Sequence, residues 1–155
     1  MVSHSPEETQ RLGAELARQL QAGDVLALTG EIGSGKTTFV RGLAEGLGIP
    51  GSSVASPSFV LVREYHRGRI PLYHSDLFRL EGVPEAMTVG LEEYYEGDGV
   101  TVIEWANKIP AILPEQFLEI FFETIDSESR KVRISPHGPR YEGREFWKEN
   151  ETPRS

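Results

Sequence analysis

Val25-Leu26-Ala27-Leu28-Thr29-Gly30-Glu31-Ile32-Gly33-Ser34-Gly35-Lys36-Thr37-Thr38-Phe39 decides how the rest of the chain is read. It opens on four consecutive apolar residues, the mark of a strand buried on both faces. After a glycine-rich turn it runs into Val40, Leu43, Ala44 and Leu47, which fall at i, i+3, i+4 and i+7 as on one face of a helix. Gly48 and Pro50 then stop that helix. Residues 30–37 match G-x-x-x-x-G-K-[ST] at every fixed position. With ordinary usage of Gly, Lys, Ser and Thr, a random match in a chain of this length has a probability on the order of 0.5%.

A strand, a glycine turn and a helix N-terminus are what phosphate binding requires. The glycines let the backbone wrap an anion with its N–H groups pointing inward, and the helix start adds partial positive charge. Glu31, Ile32, Gly33, Ser34 and Gly35 are the expected cradle. The Lys36 ammonium reaches the β- and γ-phosphates, the Thr37 hydroxyl can ligate Mg²⁺, and Thr38 is placed to touch the α-phosphate. A plain glycine turn capping a helix would explain neither Lys36 nor Thr37.

Such a site also needs acids to hold the metal and order a water. Glu104 follows the apolar run Val100-Thr101-Val102-Ile103, where a metal-holding acid is expected; a solvated strand-end carboxylate is the other reading. Asp76 lies in His74-Ser75-Asp76, and period-two alternation puts His74 and Asp76 on one strand face. His74 is read equally well as a hydrogen-bonded structural imidazole. Arg79 can bind phosphate or pair with an acid, and no spacing chooses between the two.

Around this centre, 155 residues suffice for one domain of ordinary size. Apolar residues are 38% and charged residues 26%, a globular balance. The absence of cysteine removes disulfides, thiolate nucleophiles, zinc fingers and iron–sulfur clusters. A net charge of −8 disfavours non-specific binding to nucleic acid. No basic-then-apolar leader and no stretch of about 20 apolar residues is present, so a cytoplasmic protein without membrane contact is expected.

Ser5-Pro6-Glu7-Glu8 predicts a capped helix start, with Leu12, Leu16 and Leu20 as its apolar stripe and Gly23 as its end. Residues 59–65 and 70–75 predict an antiparallel hairpin turning near Gly68. A helix is expected over 84–95, and a last strand pair over 117–124 and 131–135. The expected class is α/β, a P-loop NTPase-like mixed β-sheet flanked by helices. The expected organisation is one ATPase domain over 1–136 and a polar tail over 137–155, loosely held from Tyr141 onward, with a turn of helix near Phe146-Trp147.

Four motifs together resemble one known family. Gly30-Glu31-Ile32-Gly33-Ser34-Gly35-Lys36-Thr37-Thr38-Phe39 resembles the G-D-L-G-A-G-K-T-T-F element of TsaE, a small P-loop ATPase of tRNA threonylcarbamoyladenosine biosynthesis. Ser56-Pro57-Ser58-Phe59 resembles its S-P-T-F. His74-Ser75-Asp76-Leu77-Phe78-Arg79 resembles H-x-D-L-Y-R, and Ile103-Glu104-Trp105 resembles I-E-W. Order and spacing hold from about Pro6 to about Ile134. Ser58 keeps the hydroxyl of the Thr it replaces, whereas Phe78 loses the phenol of Tyr. The resemblance implies ATP binding with Mg²⁺, slow hydrolysis, Thr37 and Glu104 sharing the metal, and Lys36, Asp76 and Glu104 as the catalytic set. It also implies association with TsaB and TsaD, which modify adenosine 37 of certain tRNAs, so that tRNA is met only through the complex.

Two other classes fit the loop. A small metabolite kinase would need an Arg-bearing lid, and the basic stretch 63–79 reads as hairpin instead. A non-catalytic nucleotide-gated module would order a segment such as Ser56-Pro57-Ser58 to select a partner.

Overall fold

Among the described residues the 25–28 run lies at the centre of a seven-stranded mixed sheet and is buried on both faces. The computed structural model describes residues 1–30, 33–54, 62–77, 85–144 and 146, with the backbone alone at 33, 34, 85–89 and 108. Its elements are β1 (Val2–Ser3), α1 (Pro6–Ala17), β2 (Val25–Gly30), α2 (Gly33–Gly46), β3 (Arg63–Tyr65), β4 (Leu72–Asp76), α3 (Glu85–Tyr95), β5 (Val100–Glu104), β6 (Phe117–Thr124) and β7 (Arg130–His137). The strand order is β1-β7-β6-β2-β5-β4-β3. The four central strands β6, β2, β5 and β4 run parallel, and antiparallel strands flank them on either side. This is the α/β mixed sheet expected.

Period two sorts the strand residues onto two faces. Leu26, Leu28, Val100, Val102, Leu72, Leu118 and Ile120 join Leu12, Leu16, Phe39, Val40 and Leu43 of α1 and α2 in the larger core. Val25, Ala27, Ile103 and Leu77 join Leu91 of α3 and the turn at 106–112 in the smaller one. The first two helices touch closely because glycines line their contact. A Cβ on Gly42 would lie 1.9 Å from the Gln10 carbonyl oxygen, so only hydrogen fits there.

Several boundaries differ from expectation. Ser5 caps α1 as read, accepting the Glu8 N–H at 3.2 Å, but the Glu8 carboxylate takes the His4 N–H instead of that of Ser5. The helix ends at Ala17, well before Gly23. It has no basic residue in its last turn, and the Arg69 guanidinium arrives from another part of the chain to bond the Ala17 carbonyl at 2.9 Å and the Leu20 carbonyl at 3.3 Å. The hairpin is antiparallel, with Arg63 opposite His74, although 59–61 lie outside the described residues. Strand β7 runs on to His137, and β1 pairs with its start through only two residues.

The loosely held tail is corrected for its first part. Residues 139–141 form a single 3₁₀ turn that buries Tyr141, whose hydroxyl accepts the Val25 N–H at 3.0 Å. Arg140 and Arg144 both grip the fully buried Asp24, at 2.9 Å and 2.7 Å. Burial alone would raise the Asp24 carboxyl, but hydrogen bonds from Arg144, the Gln21 N–H and Arg140 outweigh it and hold the group below its ordinary value. Residues 145 and 147–155, including Trp147, lie outside those described.

Candidate functional site

Parallel strands β2, β4 and β5 end on the same edge of the sheet, where α/β proteins bind ligands. At that edge the chain leaves β2 through Gly30, whose φ of +106° and lack of a side chain are both required. A Cβ there would fall 2.1 Å from the Phe122 carbonyl oxygen. Helix α2 then begins at Gly33. Gly33, Ser34, Gly35, Lys36, Thr37 and Thr38 therefore occupy its first turns, where free backbone N–H groups and the positive end of the helix dipole are found. Glu31 and Ile32 lie outside the described residues.

Lys36 is wholly buried. Its ammonium donates to the Gly30 carbonyl at 2.9 Å and sits 3.6 Å from the centre of the Trp105 ring. Burial pushes the amine down to about 8, against an upward pull from Glu104 and Asp76. Both acids are thus electrostatic neighbours of the lysine. They also face each other across adjacent strands, since Asp76 is the register partner of Glu104 in the β4–β5 pair.

Glu104 is 2% exposed, which overturns its alternative reading as a solvated carboxylate. Its Oε2 lies 2.5 Å from Nε2 of His74, which is itself fully buried. His74 is therefore a partner of the acid. Thr37 is half-buried on the first turn of α2, and Asp76 is half-buried at the end of β4.

The site thus brings Lys36 of α2 beside Asp76 of β4 and Glu104 of β5, with Thr37 next to the lysine in the first turns of α2. Ser56-Pro57-Ser58-Phe59, Phe78 and Arg79 lie outside the described residues. Among the described residues no three His, Asp or Glu side chains gather into a metal cage. A threonine hydroxyl with two carboxylates is a hard oxygen set that suits Mg²⁺, which keeps waters and shares phosphate oxygens rather than needing a full protein cage.

Trp105 was missed as a site residue, although it directly follows Glu104. It has a left-handed backbone at φ +59°, and its indole covers the lysine. The local signal was its place in Ile103-Glu104-Trp105, one residue past the expected acid. No helix among the described residues is long and apolar enough to cross a membrane.

Comparison with known proteins points to one family. Residues 3–132 match the family model described as threonylcarbamoyl adenosine biosynthesis protein TsaE. A protein of Bacillus subtilis (strain 168) named tRNA threonylcarbamoyladenosine biosynthesis protein TsaE is 43% identical over 138 residues, spanning 89% of this chain and 85% of that one. A Nostoc protein of the same name is 42% identical over 134 residues, spanning 84% of this chain and 81% of its own. The crystal structure of Bacillus subtilis YdiB superposes with a TM-score of 0.76 at 38% identity, covering 92% of this chain and 87% of that one. A family match over residues 3–132 and relatives 42–43% identical over most of the chain lead to one conclusion: the chain belongs to the TsaE family.

Proposed function

We propose that this protein binds ATP with Mg²⁺ at residues 31–38 and hydrolyses it slowly. The hydrolysis would serve the TsaB–TsaD pair in threonylcarbamoyl modification of tRNA adenosine 37, in the cytoplasm. One observation carries the reading. Lys36, at the start of α2, is electrostatically coupled to both Asp76 and Glu104, two acids in register at the ends of adjacent parallel strands. That combination offers one cation for the phosphates and two carboxylates for metal and water.

In this reading the backbone N–H groups of α2's first turn bind phosphate oxygens, and Lys36 adds its charge to the β- and γ-phosphates. Thr37 and Glu104 hold the metal, and Asp76 orders the attacking water. Mg²⁺, when bound, neutralises phosphate charge that develops during transfer. Trp105 and the buried strand ends keep bulk water from the lysine. The chain's acidity leaves tRNA contact to its partners.

The test is ATP turnover by the full chain alone and with TsaB and TsaD, with Lys36→Ala as the control. The proposal expects Mg²⁺-dependent phosphate release to water, a response to the partners, and loss of turnover in the variant. Normal turnover by Lys36→Ala would place the site elsewhere, and transfer of phosphate to a small metabolite would make the protein a kinase.

A further inference from the structure

The His74–Glu104 contact is not explained by packing. His74 is fully buried on β4, yet its Nδ1 has no hydrogen-bond partner among the described residues. An apolar side chain would fill that position without leaving a buried nitrogen unsatisfied. The imidazole does one thing that an apolar residue cannot, which is to hold Oε2 of Glu104 at 2.5 Å. A carboxylate oxygen accepts, so Nε2 is the donor in this contact.

We propose that His74 is a positioning residue that fixes Glu104 and occupies one of its two oxygens, leaving Oε1 as the single oxygen available to a divalent cation. This rests on the reading of Glu104 as a metal ligand. A carboxylate restricted to one oxygen suits Mg²⁺, which needs a near-ideal octahedron. A carboxylate free to offer both oxygens suits the larger and more flexibly coordinated Ca²⁺. His74 therefore favours the smaller cation as well as strengthening its binding.

The experiment measures Mg²⁺ and Ca²⁺ binding by calorimetry on the full chain saturated with a non-hydrolysable ATP analogue. Wild type is compared with His74→Leu and His74→Gln, and nucleotide affinity without metal is measured in parallel. Loss of an outer-shell partner weakens metal binding by about 10–100-fold. His74→Leu should lose Mg²⁺ affinity in that range, lose less for Ca²⁺, and bind metal-free nucleotide as wild type does. The longer amide of His74→Gln can place an N–H near the Nε2 position and should recover most of the Mg²⁺ affinity. If the Leu variant does not fold, His74→Asn takes its place, since its amide reaches only the Nδ1 position and should behave like the Leu variant. Unchanged Mg²⁺ affinity in a folded Leu variant, or equal affinities in the Gln and Asn variants, would overturn the assignment of His74. If wild type binds no metal with the analogue, the underlying reading of Glu104 fails, and the proposal with it.

Discussion

Lys36→Met should stabilise the nucleotide-free protein while abolishing the proposed ATP hydrolysis. In the folded chain the amine falls from 10.5 to about 8, chiefly through burial. At 1.36 kcal/mol per unit, holding the ammonium inside at pH 7 costs roughly 3 kcal/mol. Methionine has similar length and no charge to desolvate. It forfeits the hydrogen bond to the Gly30 carbonyl, about 1 kcal/mol, and the ammonium's contact with the Trp105 ring, about 1 kcal/mol beyond what a sulfur–aromatic contact restores. The net gain is about 1 kcal/mol, which for a domain of this size is a rise in Tm of about 2–4 °C. The pH dependence has a defined sign. Between pH 8 and 10.5 the unfolded lysine is protonated and the folded one is not, so wild-type stability rises with pH in that window. The advantage of the variant should therefore be full at pH 7, shrink above pH 8, and be gone by pH 10.5. Urea unfolding of both proteins at pH 7, 9 and 10, without nucleotide, reads this directly. A variant less stable than wild type at pH 7, or a gain that does not change with pH, would refute the reasoning.

Glu104→Gln should abolish hydrolysis and Mg²⁺-dependent tightening of nucleotide binding while leaving metal-free binding through the loop amides, as titrations with and without Mg²⁺ would show. Asp24→Asn removes the charge that Arg140 and Arg144 grip and should cost about 3–5 kcal/mol near neutral pH. Because the Asp24 carboxyl lies below its ordinary value, that contribution is present above the unfolded value and lost as pH falls through the lowered one, so acid unfolding curves of variant and wild type should converge at low pH. Gly42→Ala drives a methyl group into the Gln10 carbonyl and should destabilise by about 1–3 kcal/mol in chemical denaturation, despite alanine's better helix propensity. The isolated chain should show no tight, salt-sensitive binding to tRNA in filter-binding assays, because a net charge of −8 leaves no cation surplus for counterion release.

Much of the fold was legible because its signals are local. The apolar run at 25–28, the stripe of Val40, Leu43, Ala44 and Leu47, and the glycine loop between them each declare themselves within a few residues. What sequence reading missed joins distant positions. Arg69 closes the end of α1 from 52 residues away, and Arg144 reaches Asp24 across 120. Neither arginine differs in its own neighbourhood from a solvated one, so the expectation of a loose tail followed from local polarity that Asp24 satisfies at long range. Strand β1 was invisible for a different reason: two residues are too few to show a period.

The candidate site divides along the same line. Lys36 and Thr37 were readable because one loop carries them, whereas the acids became a pair only through strand register. His74, Asp76 and Glu104 share one face because β4 and β5 run parallel with Asp76 opposite Glu104. A shift of one residue in that pairing would turn Glu104 to the α3 side of the sheet, away from Lys36. The register is set far from the site, by Leu72 and Val100 in the core shared with α1 and α2. Core packing at the start of these strands therefore positions the carboxylates at their ends. Substitutions at Leu72 or Val100 that loosen the pairing should impair the site before they unfold the protein, because the electrostatic contact with Lys36 depends on a register that the local motif does not encode.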